Sequence, residues 1–202
     1  GEAVAHIAVD HNPMGMAMDP GRGLLYVANS DADTISVLRM GPFELVRTVD
    51  VTTLPGVPGG TPNEVLLSPD AGRLFVSCGD LNQVRIYTLP DLEAAGAIPT
   101  AFYPTGMAAT HDGSTLLVTS SKGWGATKSL HSWPGVVSFV PMEPDAETLE
   151  AWTAQATDNV ARATEFFSGS DCAQALPLPL DPDEEPVIEH VVVIVRENKT
   201  YD

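Results

Sequence analysis

The chain has 202 residues, 44% of them hydrophobic, which is ample for a folded core and excludes a disordered polypeptide. Its formal charge is −17, from 27 acidic and 10 basic residues, so nucleic acid and anionic membrane surfaces are repelled and neither is expected as a partner. No apolar run approaches the roughly 18 residues of a membrane span, and no charged start followed by a hydrophobic stretch marks a signal peptide, although a mature secreted protein would look the same.

Along the chain, three segments repeat one grammar, anchored at Pro13, Pro62 and Pro104. Thirteen residues after each anchor stands Tyr26, Phe75 or Leu117, inside "LLYVANS", "RLFVSCG" and "TLLVTSS". Between anchor and strand lie "MDPGRG", "SPDAGR" and "THDGST", three versions of one turn rich in Asp, Pro and Gly. A third strand follows as Ile35 and Val37 in "TISVL", and as Val84 and Ile86 in "QVRIY". In the third copy an insertion of about ten residues, "KGWGATKSLH", delays it to Val136–Val140. Fourth strands are expected at "ELVRTVDV" and "AAGAIPT", each ahead of the next anchor. Anchor spacings of 49 and 42 residues match a four-stranded propeller blade.

These repeats resemble the YVTN-type β-propeller family over about residues 1–142, in the proline, the small apolar residues, the "SPDG"-like turn and the "LYVAN"-like strand. The resemblance implies four-stranded antiparallel blades. Three blades leave open edges and uncovered apolar faces, since closed rings usually take four to eight. The remainder of the same polypeptide, or another copy, is therefore expected to complete the propeller.

After the third copy the period changes. Pro144 and Asp145 suit the first turn of a helix, and Leu149, Trp152, Ala156, Val160, Ala163 and Phe167 recur at steps of three or four, with Gly169 as the stop. A connector rich in Pro and acid follows, "LPLPLDPDEEP", so residues 143–186 read as helix and linker. The acidic residues there read chiefly as a solvated helix face and linker.

Residues 187–202, "VIEHVVVIVRENKTYD", have the pattern of a buried strand, Val191–Val195, that breaks abruptly into charge. Carboxyl ends of such strands in α/β proteins are where ligands collect. A Glu–Asn pair there reads either as a helix or turn cap, or as oxygen donors for a divalent metal. The stretch resembles the opening motif of the bacterial phosphoesterase family that contains phospholipases C and acid phosphatases, "IKHVVxIxxENRTYD", with Lys199 in place of the commoner Arg. That resemblance implies that 187–202 opens an α/β phosphoesterase domain and that Glu197 and Asn198 bind its metal. It also implies a phosphate-ester substrate and a secreted bacterial protein of the periplasm or exterior. Further ligands and the nucleophile would lie beyond this motif, so the 202 residues alone are not expected to be catalytic; Thr200 reads as bonding backbone at the turn. A non-catalytic propeller module for binding or assembly at a cell surface is the alternative.

Other candidates are weaker. The histidines at 6, 11, 111, 131 and 190 form no pair at ligand spacing. "NSDADT", Asn29–Thr34, spaces oxygen donors like a calcium loop, but it lacks the distal Glu and sits where a blade needs a hairpin. Cys78 and Cys172 read as one buried and one exposed thiol, or as a single bridge. Trp124, in the insertion, is expected on a surface loop packing against the adjoining domain.

Overall fold

The computed structural model describes residues 4–51, 59–124, 134–168 and Val192, with backbone alone for 163–168. The chain divides into two units, residues 1–164 and 165–202, and every described strand belongs to the first.

Eleven strands form three antiparallel sheets among the described residues. In the first, β1 (Pro13–Asp19), β2 (Leu24–Asn29), β3 (Thr34–Arg39) and β4 (Glu44–Asp50) lie side by side in chain order. The second repeats this with β5 (Pro62–Leu67), β6 (Arg73–Cys78), β7 (Gln83–Thr88) and β8 (Glu93–Pro99). The third holds β9 (Pro104–Ala109), β10 (Thr115–Ser120) and β11 (Val136–Pro141). All three proline anchors therefore open the first strand of their sheet, and both expected fourth strands form. The third sheet departs from the expected four strands among the described residues. Pro141 closes β11, and after Pro144 the chain enters a helix, α1 (Ala146–Ser168).

Register confirms the equivalence of Tyr26, Phe75 and Leu117. They pair with Ala17, Leu66 and Ala108 on the first strand, and with Val37, Ile86 and Phe139 on the third. Because side chains alternate across a strand, these positions project to one face of each sheet and their neighbours Leu25, Leu74 and Leu116 to the other. One core joins the first two sheets through Tyr26, Ile35, Val37, Val65, Leu74 and Val76. A second joins the last two through Phe75, Ile86, Leu116 and Val118. Each sheet thus offers a trailing face to its successor and a leading face to its predecessor. Tyr26 and Phe75 are fully buried on trailing faces, whereas Leu117, at the same position of the last sheet, is only half-buried. Leu74 and Leu116 are fully buried on leading faces, and Leu25 of the first sheet is half-buried.

Asp145 is the N-cap of α1: its Oδ1 accepts the Thr148 amide at 2.7 Å, and its carbonyl accepts the Leu149 amide at 3.0 Å. The first turn therefore starts at Ala146, two residues after Pro144, at which the sequence pattern places the start. Leu149, Trp152, Ala156 and Val160 turn inward as expected, but onto the second sheet. Thr153 Oγ1 accepts the Ala97 amide of β8 at 3.0 Å, closing part of an open strand edge. Gly96 makes this possible, because a Cβ there would stand 2.9 Å from both Leu149 Cδ1 and Thr153 Oγ1.

Candidate functional site

Strand direction places the β2–β3 and β6–β7 turns and the connections between sheets on one edge of the array. A repeated device builds this edge. Asn12, Thr61 and Tyr103, each just before an anchor proline, hold positive φ of 52°, 44° and 60°. Their carbonyls accept the amides of Ser30, Gly79 and Ser121 at 2.9, 2.9 and 3.0 Å, so the unusual backbone closes the first strand onto the end of the second. Recurrence in all three sheets marks this strain as architectural, although such strain elsewhere often points to active sites.

A second device links neighbouring sheets. Asp33 Oδ1 accepts the Thr61 amide at 2.7 Å and its Oδ2 accepts the Gly59 amide at 2.9 Å. One repeat later, Asn82 Oδ1 accepts the Tyr103 amide at 2.8 Å. Both donors precede an anchor, and both acceptors sit at the same point of a hairpin with φ of 55° and 53°. The calcium-like spacing of "NSDADT" is thus a β2–β3 hairpin, and one of its carboxylates is spent on backbone amides. Thr61 also donates its hydroxyl to Asp80 Oδ2 at 2.6 Å, Asn12 Nδ2 donates to Asp31 Oδ1 at 3.1 Å, and Lys122 Nζ lies 4.1 Å from the Tyr103 ring centroid.

At the opposite edge, the turns before each second strand are tied by carboxylates. Asp19, 1% exposed, accepts from Arg22 Nη1 at 2.6 Å, and the same nitrogen donates to the Ala71 carbonyl of the next sheet at 2.8 Å. Burial is the largest single influence on Asp19 and opposes its ionisation, yet the hydrogen bonds and charge of Arg22 together outweigh it and hold the carboxyl below its ordinary value. Hydroxyl donation from Ser68 and then the Gly72 amide lower Asp70. Thr110 and then Ser114 lower Asp112 in the same way.

A cavity of about 300 Å³ lies between α1 and the β7–β8 ribbon, lined by Gln83, Arg85, Thr153, Thr157, Val160 and the small residues 94–97. Arg85 Nη1 donates to the Val51 carbonyl at 2.9 Å, and its guanidinium lies 5.5 Å from the Tyr87 ring centroid. This lining can hold a small polar guest, but it contains no nucleophile beside a general base.

Among the described residues no group of three or more His, Cys, Asp or Glu is arranged to hold a metal ion. His6, His11 and His111 are exposed. Cys78 is a free, fully buried thiol, pushed up to about 12 by burial. Trp124 is 77% exposed. Glu197, Asn198 and Thr200 lie outside the described residues, as do His131, Cys172 and His190. Within the run Val191–Val195, Val192 is described and is exposed. No described helix is long and apolar enough to cross a membrane. Sequence reading missed the paired acceptors Asp33 and Asn82. Their equal distance from Pro13 and Pro62, 20 residues, was the available signal.

No protein-family model matches the chain, and no curated protein matches it. Solved structures do. Hydrazine synthase of Kuenenia stuttgartiensis is similar over 70% of this chain and 37% of its own, with TM-score 0.58 and 22% identity. A provisionally assigned 6-phosphogluconolactonase of Bacteroides uniformis is similar over 66% of this chain and 45% of its own, with TM-score 0.51 and 19% identity. The chain therefore spans less than half the length of these structures. The likeness establishes the fold as that of a β-propeller module.

Proposed function

We propose that this chain is the propeller and linker portion of a secreted, metal-dependent phosphoesterase, with residues 187–202 opening the catalytic domain. The observation that carries this reading is the stretch "IEHVVVIVRENKTYD", placed after propeller blades, a helix and a Pro-rich acidic connector. Glu197 and Asn198 would hold the ion, since a carboxylate and an amide carbonyl are hard oxygen donors suited to a divalent cation. Such an ion supplies charge stabilisation at a phosphoryl oxygen when bound. The blades would act as scaffold or as a substrate-recognition surface. A non-catalytic binding or assembly module at the cell surface is the second reading, which needs only the propeller sheets that the described residues form.

The test is hydrolysis of p-nitrophenyl phosphate and bis-p-nitrophenyl phosphate by the full gene product carrying this sequence, with metal content measured on the same sample. Expected are chelator-sensitive turnover, and loss of both turnover and bound metal in Glu197→Ala while the far-UV spectrum of the propeller is kept. Wild-type turnover and metal content in Glu197→Ala would overturn the assignment, as would the absence of hydrolysis of either ester.

A further inference from the structure

Gln83 is a polar side chain at a point where the repeat does not supply its partner. At the same distances from the anchor in the first sheet, Thr34 pairs across the ladder with Asn29. There Asn29 Nδ2 donates to the Thr34 hydroxyl at 3.0 Å, which donates on to Asp10 Oδ2 at 3.1 Å. In the second sheet Gln83 pairs with Cys78, and the thiol turns instead to the Val76 carbonyl at 3.7 Å. Gln83 is 1% exposed and lines the cavity between α1 and the β7–β8 ribbon, and its Nε2 has no hydrogen-bond partner among the described residues. Buried donors without an acceptor are uncommon in folded proteins. Arg85, two residues along β7, lies on the same face and lines the same cavity, and no acidic side chain is among its described lining residues. The rest of the lining is mostly apolar, from the small residues of β8 such as Ala94 and Ala95 and from Val160 of α1, with the Thr157 hydroxyl among them.

We propose that this cavity binds a small organic carboxylate, its oxygens taken by the Gln83 amide and the Arg85 guanidinium and its short carbon body lying against the alanines of β8 and Val160. An amide nitrogen can only donate, so the guest must bring an acceptor. A guanidinium on the wall selects a negative guest over a cation, and its planar fork matches the geometry of a carboxylate. The bond from Arg85 Nη1 to the Val51 carbonyl, 2.9 Å, fixes where that charge stands. A volume of about 300 Å³ sits at the lower end of ligand pockets, which limits the guest to a short chain. Because α1 forms one wall, a bound acid bridges the helix and the second sheet. This inference rests on the cavity alone and stands or falls independently of phosphoesterase chemistry.

Saturation-transfer NMR on the full gene product carrying this sequence, titrated with sodium butyrate, tests it. The expected result is saturable binding with a dissociation constant on the order of 1 mM. Gln83→Met keeps the length of the side chain but removes the donor, and should weaken butyrate by about tenfold or more. Ala94→Leu fills the cavity from an exposed position and should abolish the signal with an unchanged circular-dichroism spectrum. If Gln83→Met disturbs the spectrum, Ala94→Leu decides alone. Butyramide has the same shape without the charge, and should displace butyrate about tenfold less well. Absence of saturable binding would overturn the proposal, and a signal undiminished by Ala94→Leu would overturn it by placing the guest elsewhere. Butyramide competing as well as butyrate itself would overturn the preference for a carboxylate. Inorganic phosphate competing equally well would overturn it in favour of a general anion site.

Discussion

Asp33 and Thr61 belong to different sheets, yet the Thr61 amide donates to Asp33 Oδ1 at 2.7 Å, and Asn82 holds Tyr103 the same way at 2.8 Å. The bond fixes where each new sheet begins relative to the hairpin of the last. Removing the acceptor strands a part-buried amide, so Asp33→Ala should cost about 1–3 kcal/mol in urea unfolding. Asp33→Asn keeps an oxygen in the position that Asn82 already uses and should cost clearly less. Equal losses for the two variants would show that charge, and not the acceptor, matters.

Phe75 and Leu117 share a register position but not an environment. Phe75→Ala removes a fully buried ring between two sheets and should destabilise by about 3–5 kcal/mol. Leu117→Ala should cost less, about 1 kcal/mol, because its side chain is only half-buried. Thermal or urea melts of the two variants side by side make the comparison.

Acid should weaken the fold through a small set of turn carboxylates. Asp19, Asp70, Asp112 and Asp145 all sit below the ordinary aspartate value, the first because its Arg22 contacts outweigh the opposing effect of burial and the others through hydroxyl and amide donors. A group depressed in the folded state contributes stability that is complete above its unfolded value and vanishes as pH falls through its folded one. The urea midpoint should therefore be flat from neutrality to about pH 5 and drop below about pH 4. Asp19→Asn should flatten part of that drop and lower the plateau.

Cys78 should be inert in the native protein. Its thiol is fully buried and pushed up to about 12, so thiolate is scarce at neutral pH and unreachable by reagent. Mass mapping after alkylation at pH 8 should find Cys78 unmodified until denaturant is added.

The sheets were legible because proline, an Asp-rich turn and a β-branched strand recur at fixed offsets, and each of those signals is local. Their limits were legible for the same reason, since the delayed third strand arrives as β11 after the insertion. What stayed hidden is non-local. The resting place of α1 depends on the missing side chain of Gly96, one residue in a strand that reads like any other. Non-glycine residues before proline favour extended backbone, so positive φ at Asn12, Thr61 and Tyr103 runs against the local rule and is held by bonds that no pattern displays. Asp33 and Asn82 do one job with different chemistry, which conceals the repeat from a search for identity. Glu197 and Asn198 were legible only as a motif, and they fall outside the described residues.

The links between sheets join nearest neighbours: Arg22 reaches the turn of the next sheet, Asp33 its first strand, and Asn82 the first strand of the one after. Stability in such an array accumulates one unit at a time. Sheet two is gripped on both sides and roofed along β8 by α1, so it should be the slowest to open. Amide exchange should therefore be graded, slowest around Phe75 and Val76 and faster toward β4 and β11, where fraying starts.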